Sequence, residues 1–488
     1  MRALPSIHVL GALALAVVAG CRVPAVAPDP APHPMPASFA LSGDSAAGGA
    51  GTGDSTTIAD IGWRQYFADS TLLALIDTAV HNNTELLSTL AEVEMSRHEL
   101  LAARGRLIPQ LAGVAGLGLD KAARYTSTGA GDASTDMTPG KRVPEVLPDL
   151  TIGFVAGWEA DIRGKLRSQK GAALARYLAT VEGNRYVMTG LVAEVANTYY
   201  ELTALDQKLA IIQQAIALQQ RELEVVRVQK DAAVVTELAV RQFEALLFDA
   251  RGMEYEVRQQ IREAEARMNL LLARFPQPVP RAATIAAGGT SGGRALGSGR
   301  PSQLLRNRPD IRAAELQLTA ARLDVKAARA ELFPEVTLSG AVGLQAFKPK
   351  YLFTTPESVA WTLAGDLLVP LFNRRGIKAE IGIASANQKK ALYAYRQRML
   401  DGFTEVATLV SALDNLDSLS TFKAQRAEAL DRSTEIASDL FNAARANYLE
   451  VLTAQRDAID AKLEVVETRL RQQVAATSLY RALGGGWR

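Results

Sequence analysis

The chain has 488 residues, 22% of them charged, with a formal net charge of +2; this is the composition of a folded protein and gives no reason to expect nucleic acid as a partner. Its one cysteine, Cys21, excludes an intrachain disulfide framework and any Cys-based zinc site. Two or three ordinary domains would fit this length. However, residues 149–275 and 371–488 contain no proline, and such long Ala-, Leu-, Glu-, Arg- and Gln-rich runs predict helices far longer than three or four turns.

The N-terminus has the layout of an export signal. Arg2 supplies the charged end, Ile7 to Ala19 the apolar segment and Val18-Ala19-Gly20-Cys21 a small-residue cleavage region. This tetrapeptide resembles the lipobox of bacterial lipoproteins, which implies residues 1–20 as signal peptide and Cys21 as the lipidated first residue. Plain signal cleavage after Ala25-Val26-Ala27 is the alternative. Acyl chains on Cys21 would hold the protein at a membrane surface, and Arg rather than Asp at residue 22 favours the outer membrane by resemblance to enterobacterial sorting rules. Residues 21–57, rich in Pro, Ala, Gly, Ser and Asp, are expected to be a flexible tether. No stretch of the mature chain reaches the ~20 apolar residues of a spanning helix, so any crossing must be by strands.

Order is expected from Ile58, anchored by Trp63 and Tyr66. A helix is predicted from about Ser70 to Leu107, with Leu72, Leu73, Leu75, Ile76, Val80, Leu86, Leu87 and Leu90 on its apolar face. It stops at Pro109, where the period changes to two: Leu111, Gly113, Ala115, Leu117 and Leu119 share one face. A polar, turn-rich segment (120–149) leads to a second alternating run, with Ile152, Phe154, Ala156 and Trp158 on one face. At a constant offset of 225, Ala327-Ala328-Arg329-Ala330-Glu331-Leu332-Phe333-Pro334 repeats the junction. Val336, Leu338, Gly340, Val342 and Leu344 then repeat the first strand, and Val359, Trp361, Leu363 and Leu367 the second. About ten residues of apolar-out, small-or-polar-in alternation suit a tilted strand crossing a bilayer, with Trp158, Trp361 and Tyr351 as interfacial aromatics. Soluble half-buried hairpins are the alternative.

Each hairpin returns into a long helix, near Ile162–Lys165 and near Phe372–Gly376. Leu202, Leu205, Leu209, Ile212 and Ile216 form a 3-4 coiled-coil seam, as do Val406, Leu409, Leu413 and Leu416. Polar clusters near 229–237 and 442–450 are expected to divide each Pro-free run into two passes of ~60 residues, on the order of 90 Å each. The chain therefore reads as a first repeat over 58–275 with a β-hairpin at 111–159, a linker over 276–303, and a second repeat over 304–488 with a β-hairpin at 335–369. Pro309 fits a first helical position and Asp310 the positive end of the helix dipole.

Three motifs then carry a resemblance: Asn307-Arg308-Pro309-Asp310-Ile311-Arg312-Ala313-Ala314-Glu315, Tyr448-Leu449-Glu450-Val451-Leu452-Thr453-Ala454-Gln455-Arg456, and the ending Leu479-Tyr480-Arg481-Ala482-Leu483-Gly484-Gly485-Gly486-Trp487. Together they resemble the TolC-like outer membrane factors, nearest the lipoprotein branch of NodT or OprM type. The resemblance implies a mixed α and β membrane protein: a long α-helical coiled-coil barrel continuous with a transmembrane β-barrel, four strands per chain and twelve in a homotrimer. It implies an outer membrane channel of a tripartite efflux system, conducting small molecules passively from an inner-membrane pump, RND type by resemblance, and a periplasmic adaptor. Physics supplies only the need for association, because four strands cannot close and an open edge in lipid is forbidden.

The resemblance places the periplasmic gate at Leu449, with an acidic ring four residues on; here that position is Thr453. At an offset of 213 the first-half counterpart of Leu449 is Thr236. Relatives usually carry Gly in the tip turns, where this chain has Asp231 and Ala444. No catalytic, metal or cofactor constellation is found: His33 lies in the tether, and His81 and His98 are 17 apart. The rival functions are the outer membrane conduit of a type I protein-secretion system and a non-conducting, lipid-anchored coiled-coil scaffold.

Overall fold

The computed structural model describes residues 36, 38, 39, 58–282, 301–369, 374–443 and 445–488. Cys21, most of the tether, most of the linker and Ala444 lie outside the described residues. Within them the helices are α1 (Trp63–Tyr66), α2 (Ser70–Asn82), α3 (Thr84–Gly105), α4 (Ser127–Ser134), α5 (Lys165–Asp231), α6 (Glu237–Leu271), α7 (Leu304–Asn307), α8 (Pro309–Ala330), α9 (Pro349–Leu352), α10 (Arg374–Asn442) and α11 (Tyr448–Ala482). The strands are β1 (Gln110–Asp120), β2 (Asp136–Thr138), β3 (Lys141–Arg142), β4 (Leu147–Ala160), β5 (Glu335–Ala346) and β6 (Val359–Leu368). Among the described residues no helix is long and apolar enough to cross a membrane. The chain divides into two compact units.

The first unit takes in residues 95–177 and 316–392 and holds the sheet. Its four long strands are antiparallel in the order β1-β4-β5-β6. Each repeat contributes one hairpin, and β4 joins them by pairing with β5 from Leu150↔Ala346 to Ala160↔Val336. The registers fix the faces. Gly113 pairs with Phe154, Phe154 with Val342, and Val342 with Trp361, so all four large-residue faces are one face. It is also bare: Leu117 is 76% exposed, Trp361 72% and Leu363 78%. The other face carries Gly116, Gly153, Ser339, Gly343 and Thr362. Gly153 and Gly343 are paired, and a Cβ on either would meet the opposing backbone at 2.5 Å, so strands approach there as closely as only glycine permits. A sheet with its large apolar side chains on the outside and its small ones within is inverted relative to a soluble protein and fits lipid outside.

The helix-to-strand junctions superpose in sequence: α3 ends at Gly105 and β1 starts at Gln110, while α8 ends at Ala330 and β5 starts at Glu335, each at the same offset. After β4 the chain re-enters helix because Asp161 accepts from the amides of Leu166 and Arg167, both at 3.0 Å, and Gly164 takes φ +74°. Lys165 then bridges Glu159 (2.9 Å) and Glu335 (3.4 Å), linking β4 to β5 at the helical end of the sheet.

The second unit takes in residues 31–94, 178–315 and 393–488. Its main core packs Trp63, Tyr66, Phe67, Leu72 and Ile76 against Leu191, Val195, Tyr199, Leu202, Ile212, Met268 and Tyr480. Tyr66 stacks on Tyr480 with centroids 4.0 Å apart, and each hydroxyl donates to a backbone carbonyl, of Ala476 and Ile61 respectively. The seam residues Leu202, Leu205, Ile212, Val406 and Leu416 are buried. Pro309 opens α8 at its first position, and Arg308, 5% exposed, forks onto Asp310 at 3.0 and 2.8 Å while also reaching Glu405 (2.8 Å) and the Ala482 carbonyl (2.9 Å).

Four expectations are corrected. The helix expected over 70–107 breaks at Asn83, whose side chain accepts from the Leu86 amide (3.0 Å) and donates to the Leu271 carbonyl (3.0 Å). That break re-phases the next segment, and Leu87 and Leu90 are each 48% exposed rather than on the buried face. The passes are unequal: α5 and α10 have 67 and 69 residues, α6 and α11 only 35 each, because α5 and α10 run on to Asp231 and Asn442, late in each Pro-free run. The connection between β1 and β4 is not bare turn; it holds α4 and the small β2–β3 hairpin.

Candidate periplasmic gate

The two long helical hairpins turn within the second unit. Between α5 and α6 the turn is made at Ala233, φ +58°, with the Val234 amide donating to the Gln229 carbonyl at 2.8 Å. Asp231, where a glycine would be expected, is still helical. Thr236 is the N-cap of α6, its hydroxyl accepting from the Ala239 amide at 3.4 Å. The second turn closes by the Arg445 amide on the Leu440 carbonyl (2.8 Å), and Asn447 caps α11 by accepting from the Leu449 amide at 3.3 Å.

Leu449 stands in the first turn of α11 and is 53% exposed. Thr453, one turn on, is exposed and donates its hydroxyl to the Leu449 carbonyl at 2.9 Å, so position 453 carries a hydroxyl satisfied within its own helix in place of a carboxylate. The stripe continues through Arg456 and Asp460, both exposed, at the 4-3-4 spacing of one helix face. Sequence reasoning quoted Arg456 within the motif but did not see it as part of this face; the spacing from Leu449 could have found it. Thr236, matched to Leu449 by offset, is a cap rather than a first-turn face residue, since α6 and α11 start at positions 211 apart.

The opposite face of α11 holds the hairpins together. Val451 packs with Leu223, Val226, Ala239, Val240, Phe243 and Leu247 of the first hairpin. Behind this apolar plug lies a polar contact of three helices: Glu222 of α5 accepts from Ser438 of α10 at 3.2 Å and from the Gln455 amide of α11. Burial pushes the Glu222 carboxyl above its ordinary pKa, against the pull of the Gln455 and Ser438 hydrogen bonds. Gln219, 1% exposed, has neither amide atom paired, and Gln455 Oε1 is also unpaired.

The turns differ in their ion pairs. Across the first, Lys230 meets Glu237 (3.0 Å) and Arg227 meets Glu244 (2.9 Å), and Arg241 reaches both acids at 2.9 Å. Across the second, the ion pairs among the described residues lie further from the turn, Asp431 with Lys462 and Glu464 with Lys423 and Arg426. The α5–α6 hairpin is thus pinned close to its turn and the α10–α11 hairpin, bearing Leu449, further along.

A sequence model described as outer membrane efflux protein matches residues 75–274 and 300–485. The chain is 29% identical to the outer membrane protein OprJ of Pseudomonas aeruginosa over 91% of its length and 90% of the relative. It is 30% identical to the pyoverdine export outer membrane protein OpmQ of Pseudomonas putida, over 87% and 88%. Its fold is similar to the open state of the Neisseria gonorrhoeae MtrE outer membrane channel, with TM-score 0.79 and 26% identity over 90% of this chain and 94% of that one. The helical barrel and strands of such channels account for both units, and the chain belongs to the outer membrane efflux protein family as an outer membrane channel of a tripartite efflux system.

Proposed function

We propose that the chain assembles as a homotrimer, each copy giving four strands to a twelve-stranded barrel, anchored by a lipid on Cys21 after removal of residues 1–20. In this reading residues 21–57 are a tether, 276–303 a linker between the repeats, and the two repeats are the tunnel-forming units. The observation that carries it is the pair of unpaired edges, β1 and β6, on a sheet whose large apolar face is bare. An open edge cannot persist in lipid. Two copies would make eight strands filled by side chains, whereas three leave an aqueous bore.

The channel has no chemistry of its own: a periplasmic adaptor and an inner-membrane pump of RND type supply direction and energy, and the cargo is small molecules rather than protein. The gate is the Leu449 level. Three copies of a half-exposed leucine close a narrow tip by packing and dewetting, Thr453 adds hydroxyls in place of a charged ring, and Thr236 fixes the start of the neighbouring helix. Opening moves the α10–α11 turn, whose ion pairs among the described residues lie further from its tip.

Purified protein in planar bilayers tests this. A mass of three chains, a small resting conductance, and a leak raised several-fold by Leu449→Ala are expected. A monomer, silence under every opening condition, or an unchanged leak in Leu449→Ala would overturn, respectively, the trimer, the channel and the gate.

A further inference from the structure

Further from the turns than the apolar plug, α5, α10 and α11 enclose a cavity of about 100 Å³. On its α10–α11 side the polar groups have partners. Thr434 donates to the Leu430 and Ala454 carbonyls at 3.0 and 3.2 Å, Lys462 pairs with Asp431, and the Gln455 amide nitrogen donates to Glu222. On its α5 side Gln219, 1% exposed, lines the cavity with Nε2 and Oε1 both unpaired, and Gln455, 2% exposed, leaves its Oε1 unpaired in the same space. Buried amide atoms without partners are costly, so three at one cavity point to an occupant that supplies the bonds. Ile211, Leu218 and Ile459 make the remaining wall apolar.

We propose that this cavity is a binding site for a small neutral molecule bearing a primary carboxamide, with Gln219 as its main anchor. The unpaired set is a donor, Gln219 Nε2, and two acceptors, the Oε1 atoms of Gln219 and Gln455. A primary carboxamide carries the complement on one planar group, an acceptor and two N–H donors. A carboxylate has no donor and would face the two amide oxygens, an ammonium has no acceptor for Gln219, and a hydroxyl has one donor for two acceptors. The volume is that of about three waters at ~30 Å³ each, which suits a molecule as short as propionamide, its ethyl group against the apolar wall. An occupant bonded to both glutamines ties α5 to α11, and so the hairpin pinned close to its turn to the one bearing Leu449. That consequence, unlike the site itself, rests on the Leu449 level being the gate: occupancy should hold the tip closed.

The test titrates the full-length assembly with propionamide, N,N-dimethylacetamide and propionate. Binding is read by hydrogen exchange over residues 209–222 and 455–464, and leak conductance in planar bilayers is read alongside. Propionamide should protect both segments, half-saturating at least about tenfold below N,N-dimethylacetamide, which keeps the acceptor but has no N–H, and below propionate. Gln219→Leu and the bulkier Gln219→Met, of unchanged assembled mass and far-UV spectrum, should each weaken propionamide at least about tenfold. Gln220→Leu, at the exposed neighbouring position, should leave it unchanged. The site is overturned if propionamide gives no saturable protection, which would leave water as the occupant, or if the two analogues protect as well. It also falls if both Gln219 variants keep the binding or if Gln220→Leu loses it equally. Saturable protection without a fall in leak would keep the site and overturn its link to the gate.

Discussion

Glu222 is the residue expected to make the α5–α10–α11 contact respond to pH. Its folded pKa is raised by burial, so the folded state favours the protonated form. By linkage, its contribution to stability is complete below the unfolded carboxyl pKa and is lost as pH rises through the raised folded value. Protonation also gives Glu222 a donor, where Gln455 Oε1 and Gln219 lack partners. Acidification should therefore tighten the α5–α10–α11 contact. Hydrogen exchange over residues 215–226, corrected for intrinsic rates, should show greater protection at pH 5 than at pH 7.5 in the native chain. Glu222→Gln should be protected at both, and a difference that persists in the variant would assign the pH response to another group. Ala233 gives a second residue-scale expectation. It holds φ +58°, where glycine is unstrained, and no glycine occupies that turn. Ala233→Gly should stabilise the hairpin by about 1 kcal/mol, read as a higher denaturation midpoint.

At the scale of elements, the short junction of α7, α8 and the end of α11 depends on a buried cation. Arg308 is held above its ordinary pKa by Asp310 and Glu405 despite burial that opposes it; Asp310 is buried, while Glu405 is partly exposed and also pairs with Arg481. Arg308→Met would leave the buried Asp310 carboxylate facing an apolar side chain, a loss of about 3–5 kcal/mol. Arg308→Lys keeps the charge but not the fork onto Asp310 and should lose less. Thermal unfolding should order the three proteins native, Lys, Met; equal midpoints for Lys and Met would mean that geometry rather than charge is what the site needs. This junction was legible as a motif, because Pro at a first helical turn followed by Asp is a local signal. Its partners Glu405 and Ala482 were not, since nothing local relates positions 97 and 174 residues away. The strands and their faces were legible for a similar reason, period two being a property of neighbours. The break at Asn83 was missed because asparagine within a helical pattern is ordinary, and only its bond to Leu271, across 188 residues, makes it a stop. At the gate, Leu449 and Thr453 could be placed on a helix from sequence. The plug around Val451 and the Glu222 contact needed three helices in register.

For the whole molecule, the decisive arrangement is which side of the sheet meets lipid. Leu363 and Thr362 are neighbours on β6 and both are exposed, Leu363 at 78%, yet the registers put them on opposite faces: Leu363 beside Gly340, Thr362 beside Ala341. In water the two sites would tolerate a lysine about equally. With lipid on the Leu363 side, Leu363→Lys places an ammonium in hydrocarbon at a cost of about 2–4 kcal/mol near midplane, while Thr362→Lys enters a wet bore at little cost. Leu363→Lys should thus lower the yield of assembled protein in the outer membrane severalfold. Thr362→Lys should assemble normally and shift the reversal potential of the open channel toward anions, because three added positive charges line its wall. Reversed outcomes would place the bore on the Leu363 side, and equal tolerance with no change in selectivity would remove the sheet from the bilayer altogether.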